Sequence, residues 1–317
     1  MSQVHVENLL HDLAPSLKLE ILAGQQGIRN RITHPRIQKH GLALAGFLEF
    51  IHPQRVQVLG KTEVSYLRTL SAAQKRERLG KFCELPIACF VVTSSLTVPE
   101  ELLEFAEQFK IPVLRTPVES SECIAALGNY LERKLAPQTS IHGVLMDIYG
   151  VGVLLLGKSG SGKSESALHL VSKGHRLVAD DIVEVRKIRG ELIGQGGDLL
   201  KHNMEIRGLG IINVKDLFGV AAIQDSKTID LVIQLESEAD PQDEERLGLD
   251  EEKYEILEVS LPYLRTPVRP GRNIPTIIEV AARTHLLKLM GYHSAQEVDK
   301  KLMAQLLEPR NDPRPED

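Results

Sequence analysis

The sequence predicts an α/β protein of two domains, and three observations carry that prediction. At 317 residues the chain has room for two domains of ordinary size. Its first 133 residues alternate short apolar runs with amphipathic stretches. Farther on, Gly157-Lys158-Ser159-Gly160-Ser161-Gly162-Lys163-Ser164 fits the pattern G-x-x-x-x-G-K-[ST] and sits between an apolar run and a helical one.

In the first half, Ser71–Gln74 has capping-box form and opens a helix. Ile87–Thr93 and Ile111–Leu114 read as buried strands, and between them Pro99–Phe109 reads as a helix with proline in its first turn. No nucleophile, metal or phosphate signature occurs there. His5, His11, His34, His40 and His52 are scattered and read as solvated or capping groups. Residues 1–133 are therefore expected to form a small α/β domain with a structural or regulatory role.

Leu135–Ser140 has the proline and small polar residues of a linker, so a second domain is expected over 134–308. Strands are predicted over 141–148 and 151–156, joined at Tyr149-Gly150. A hairpin before a phosphate loop departs from the parallel sheet in which a crossover helix precedes the loop strand. A helix is expected from Glu165 to Lys173, with Gly174 as its stop. The stretch 236–253 holds nine acids and reads as a solvated loop. Helices follow over about 275–290 and 294–307, the second opening on a capping box at Ser294–Glu297, and the polar, proline-rich tail 309–317 is expected to be disordered.

Composition bounds the function. Hydrophobic residues are 42% of the chain and charged residues 26%, enough for a proper core. The net charge of −5 argues against a nucleic-acid partner. Cys83, Cys89 and Cys123 are too few and too irregular for a disulfide framework or zinc site, and suit a reducing compartment. No signal-peptide pattern and no apolar run of membrane-spanning length is present, so a cytoplasmic protein without membrane contact is expected.

The loop carries the chemistry. Its glycines let backbone N–H groups turn onto phosphate oxygens, Lys163 supplies a point charge, and the Ser164 hydroxyl suits Mg²⁺. A nucleoside triphosphate or similar polyphosphate is the expected ligand. Asp180 and Asp181 end an apolar segment, and in phosphoryl transfer one acid can organise Mg²⁺ while another takes a hydroxyl proton. Successive strand side chains face opposite ways, so both reach one phosphate only if the strand ends there and the chain turns. His142 reads equally as a structural group or as a neighbour of the phosphates, beside the loop strand in the expected hairpin. In Met204–Asn213, Glu205 and Arg207 stand against two glycines; an acid there could complete a Mg²⁺ shell, or the segment could be a charged surface turn. Arg269 and Arg272, on a loop stiffened by prolines, are good oxyanion forks or simply surface arginines, and Arg246 in the acidic stretch is open in the same way.

Taken together, these segments resemble the bifunctional HPr kinase/phosphorylase family of bacteria. The match rests on Gly157–Glu165, His175–Asp181, Met204–Asn213, Glu245–Leu249 and Pro267–Asn273, in that order along the second half, with the first half compatible with the family's smaller domain. The resemblance implies a catalytic domain akin to phosphoenolpyruvate carboxykinase, in keeping with the expected hairpin, and a homohexamer. It implies ATP-dependent phosphorylation of a serine on the phosphocarrier protein HPr. In the reverse direction, inorganic phosphate attacks the phosphoserine and pyrophosphate leaves. Carried onto this chain, the loop amides and Lys163 hold phosphates, Ser164 and Glu205 hold Mg²⁺, and Asp181 takes and returns the serine proton, tuned by Asp180 and His142. A free aspartate titrates near pKa ~3.9, so returning a proton at neutral pH requires surroundings that favour the protonated form. Arg246 steadies the moving phosphoryl group, segment 204–213 serves both directions, and loop 267–272 mainly the reverse one. One departure stands out: Lys158 and Ser161 occupy positions where members often carry an acid and an aliphatic residue, which predicts altered affinity rather than lost function. Two other readings compete, a P-loop kinase of a small metabolite and a non-catalytic nucleotide sensor.

Overall fold

Apolar runs bounded by turn residues become central strands, and the amphipathic stretches become the helices that cover them. The computed structural model describes residues 3–39, 41–197, 201–236, 252–269 and 271–292. The chain divides into two compact units, Met1–Pro137 and the part from Gln138 onward.

The first unit runs β1 Val4–His5, α1 Val6–Asp12, α2 Ala14–Leu17, β2 Glu20–Ala23, β3 Arg31–Ile32, β4 Gln38–Lys39, α3 Gly41–Leu44, β5 Val56–Leu59, α4 Lys61–Thr69, α5 Ala72–Cys83, β6 Cys89–Val92, α6 Glu100–Phe109, β7 Val113–Arg115 and α7 Ser120–Lys134. Its main sheet has the order β2-β7-β6-β5-β4, with β4 to β7 parallel and β2 antiparallel at one edge. Parallel strands between helices are buried on both faces, which is why Cys89–Val92 is apolar throughout. Phe90 and Val92 pack into one core with α4 to α6, while Cys89 and Val91 face a second with α1 and α7. Ser71 caps α5 as expected, its Oγ accepting from the Gln74 N–H at 3.3 Å. Pro99 is the N-cap of α6 rather than a residue of its first turn. The three cysteines are free and buried in this unit, and burial pushes the Cys83 thiol up to about 12.

The second unit runs β8 Gln138–His142, β9 Val144–Ile148, β10 Val151–Gly157, α8 Lys163–Ser172, β11 Arg176–Ala179, β12 Ile182–Ile188, β13 Glu191–Gly196, β14 Asn203–Ile206, β15 Gly210–Asn213, α9 Val214–Phe218, β16 Ser226–Thr228, β17 Leu231–Glu236, β18 Glu252–Ile256, β19 Val259–Pro267 and α10 Ile274–Leu289. Among the described residues one sheet has the order β11-β9-β10-β17-β19-β18 and a second the order β16-β13-β12-β8. The β9–β10 pair is the antiparallel hairpin expected before the loop, whereas β10 runs parallel to β17 on its other side. Side chains of β10 alternate: Val153 and Leu155 meet Ala167, Leu170, Ile278 and Ala282 of α8 and α10, and Leu154 faces Val183 and Val185 of the second sheet.

Two expectations about the strands of this unit are corrected. The strand foreseen over 141–148 is broken at Gly143, so β8 belongs to the second sheet and β9 to the first. A Cβ at Gly143 would stand 2.7 Å from the Leu155 carbonyl oxygen, so the chain passes β10 too closely for any side chain. The acidic stretch is not loop throughout: Glu236 ends β17, and Glu252 and Lys253 begin β18. Arg246, the helix foreseen over 294–307 and the tail 309–317 lie outside the described residues.

Candidate active site

The phosphate loop leaves β10 at Gly157 and enters α8 at Lys163. Left-handed backbone at Gly160 and Gly162, both at φ +82°, turns the chain as a side-chain-bearing residue would resist. The first helical bond of α8 runs from the Ser166 N–H to the Gly162 carbonyl, 2.9 Å, so the preceding N–H groups of the helix start have no intrahelical acceptor. That is the arrangement that binds anions. Lys163 is buried, and its Nζ donates to the carbonyls of Gly157 at 2.9 Å and Lys158 at 3.2 Å, which holds the charge inside the loop's curve.

Opposite the loop, β11 ends at Ala179 and the chain turns through Asp180 and Asp181 before β12. Asp181 takes a left-handed conformation, φ +70°. The strand end and turn that two acids need to share one site are therefore present. Asp180 accepts from the Ser164 hydroxyl at 2.9 Å and from the Glu205 N–H at 3.2 Å. Burial raises its pKa above the ordinary aspartate value, and those two bonds act in the opposite direction. Asp181 Oδ1 lies 3.0 Å from His142 Nδ1. His142 reaches it not through the hairpin but because β8 pairs with β12, where His142 stands opposite Ile182.

The β14–β15 hairpin closes the third side. Met204 and Ile206 enter the core, so the alternate residues Glu205 and Arg207 face outward. The Arg207 guanidinium crosses the loop: its Nη2 donates to Ser159 Oγ at 3.4 Å, and a Cβ on Gly160 would stand 2.8 Å from its Nη1. One cleft is thus lined by His142, Ser159, Gly160, Gly162, Lys163, Ser164, Asp180, Asp181, Glu205 and Arg207, all candidates from the sequence, and by Glu165, which the sequence marks as a helix start and as the end of the loop motif but not as a site residue. Its signal was an acid directly after the loop serine.

Not every expected residue joins the cleft. Arg269 and Arg272 are exposed on a turn closed by the Arg272 N–H on the Arg269 carbonyl, 3.1 Å, and do not line it. Lys158 is exposed and does not line the cleft. Ser161 is buried, and its Oγ has no hydrogen-bond partner among the described residues. An aliphatic side chain would fill that slot without stranding a hydroxyl, a cost of about 1–3 kcal/mol.

The family model for the HPr Serine kinase N terminus matches residues 4–131, and that for the HPr Serine kinase C-terminal domain matches 133–302. An HPr kinase/phosphorylase of Geobacter sulfurreducens is 54% identical over 302 residues, 95% of each chain. One of Bacillus mycoides is 47% identical over 294 residues, 92% of this chain and 95% of that protein. The solved HPr(Ser) kinase/phosphatase of Coxiella burnetii is 33% identical, covers 50% of this chain and 98% of its own, and superposes with a TM-score of 0.45. Both halves of the sequence are matched in order, and the chain belongs to the HPr serine kinase/phosphorylase family.

Proposed function

We propose that this protein uses ATP to phosphorylate a serine of HPr and, in the same cleft, removes that phosphate by phosphorolysis. The observation that carries the reading is the placing of one carboxylate, Asp181, with His142 at its side, across from the amides and lysine of the phosphate loop.

In the forward direction the loop amides and Lys163 hold the ATP phosphates. The serine oxygen attacks the γ-phosphorus as the bond to the β-bridging oxygen breaks and ADP leaves. Asp181 accepts the hydroxyl proton, with His142 Nδ1 fixing the carboxylate's orientation. In reverse, an oxygen of inorganic phosphate attacks the phosphoserine phosphorus, the serine oxygen leaves with the proton from Asp181, and pyrophosphate is formed. Arg207 lies across the loop, where a guanidinium offsets charge on the transferring group. Arg246 is assigned the same task by the resemblance.

The donor set fits Mg²⁺. Ser164, Asp180 and Glu205 bring hard oxygens to one cleft, and Mg²⁺ keeps several waters and uses only one or two carboxylates beside substrate phosphates. Among the described residues no group of three or more His, Cys, Asp or Glu could hold a metal alone, which such a partly hydrated ion does not require. Ser164 and Glu205 would hold it, and when bound it neutralises phosphate charge.

Arg269 and Arg272 are assigned to the reverse direction, as positioners of the attacking phosphate. Arg272→Ala then slows phosphoserine removal about tenfold more than it slows phosphorylation, read from paired initial rates; equal losses refute the assignment. The reading also includes a cytoplasmic site of action and a homohexamer, for which the exposed Val280, Leu287, Leu289 and Met290 of α10 and its C-cap offer apolar surface to bury. No described helix is long and apolar enough to cross a membrane.

The test is direct. Protein, Mg²⁺, ATP and HPr are incubated and HPr is weighed by mass spectrometry, where one added phosphate on serine is expected. Phosphate is then added and pyrophosphate measured. An unmodified HPr sinks the proposal.

A further inference from the structure

We propose that the pocket-facing side of the β14–β15 hairpin is the docking surface for the protein acceptor, through an apolar patch that flanks the acceptor serine. The inference rests on the kinase reading above and names what the site requires of its partner.

Strand register carries the argument. In β14, Glu205 lies on the face that lines the cleft, opposite the buried Met204 and Ile206, and Arg207, first in the turn that follows, lines it too. Glu205 pairs with Ile211 across the hairpin, so the isoleucine projects from the same face, with Cβ atoms about 4.5–5.5 Å apart. Ile211 is 69% exposed and Leu209, in the connecting turn, 73% exposed. One large aliphatic side chain, Ile211, thus stands in solvent one cross-strand step from a carboxylate of the phosphoryl-transfer cleft, and a second, Leu209, stands two residues before it in the turn. The exposed apolar run continues along the chain through Leu217, Phe218 and Val220.

This face is also held in place. The Glu205 N–H is bonded to Asp180 and the Arg207 guanidinium to Ser159, so the hairpin is tied to both walls of the cleft. An apolar group seated on Ile211 therefore lies at a fixed offset from the serine presented to Asp181. A second copy of the chain fits less well as the occupant: a permanent subunit over Ile211 would cover the cleft's rim and bar a protein acceptor from Asp181. The exposed apolar residues of α10 supply assembly surface without that conflict.

The experiment uses full-length Ile211→Glu and Leu209→Glu. Both positions are exposed, and Leu209 lies outside the paired strands, so its variant answers the question even if the other fails to fold. The expected result is a rise of about tenfold or more in KM for HPr, with the dissociation constant for a fluorescent ATP analogue unchanged and the assembly mass by light scattering unchanged. An unaltered KM for HPr in the folded variants overturns the proposal. A fall in assembly mass also overturns it, since the face is then a subunit interface. The unmodified protein is assayed first, and its failure to phosphorylate HPr defeats the kinase reading itself before any variant is compared.

Discussion

Two strand-to-helix junctions in this protein look alike in outline and behave oppositely. In the first unit β5 passes through Gly60 into α4; in the second β10 passes through Gly157–Gly162 into α8. Each strand has a parallel neighbour, and each junction aims a helix N-terminus at the strand's carboxyl end. At the first, the Gly60 N–H is already bonded to Glu63 Oε2 at 2.9 Å, and Glu63 is only 4% exposed. A Cβ on Gly60 would stand 2.6 Å from Ser120 Oγ, whose hydroxyl is in turn 2.7 Å from Thr93 Oγ1. At the second, Gly157 is as crowded, a Cβ there standing 2.8 Å from the Leu235 carbonyl oxygen, but nothing lies within 4 Å of a Cβ on Gly162, and the atoms nearest one on Gly160 belong to the Arg207 side chain. A helix N-terminus is thus a ligand site only where the loop leaves its donors unsatisfied. In the first unit the protein's own Glu63 is the anion.

The contrast is sharpened by four substitutions, in falling order of effect. Asp181→Asn keeps the shape and removes the proton acceptor, so phosphorylation and phosphorolysis both fall about 10³-fold while ATP affinity holds. Turnover within tenfold of the parent would show that the loop alone suffices. Lys163→Ala removes the charge inside the open junction, with a loss of about 10²-fold in both directions and weaker ATP binding by titration. Glu63→Ala acts at the closed junction. It strands the Gly60 N–H and costs about 1–3 kcal/mol, seen as a lower Tm, with kinase turnover unchanged. Millimolar phosphate should then raise the Tm of this variant more than that of the parent, whose cleft also takes phosphate, and an equal rise would mean that the first junction's geometry, not its occupancy by Glu63, sets it apart. Ser161→Ala removes the stranded hydroxyl and raises Tm slightly, by thermal melts of the two proteins side by side.

Which features could be read from the sequence follows from their range. The loop, its strand and its helix are one contiguous stretch, and pattern alone places Lys163 and Ser164. The Asp180–Asp181 turn was conditional in the sequence and is met because β11 ends at Ala179. The hop at Gly143 was not legible: it depends on a 2.7 Å approach to the Leu155 carbonyl, a contact set by sheet packing. For the same reason the hairpin pattern puts His142 beside the loop strand, whereas pairing with β12 carries it to Asp181. The sequence marks Arg207 without giving it a position, because only the folded hairpin lays it over Gly160. The arginines of 267–272 resembled an oxyanion fork, yet no local pattern tells whether a loop reaches a cleft.

The φ of +70° at Asp181 bears on how this enzyme can be dissected by mutagenesis. Aspartate and asparagine are among the few residues that accept that backbone shape without glycine's freedom. The junction also hands the chain from one sheet to the other, between β11 and β12. Alanine here would alter main-chain geometry along with chemistry, and a slow alanine mutant would not tell one loss from the other. Asparagine is the informative replacement, and glycine its proper companion control.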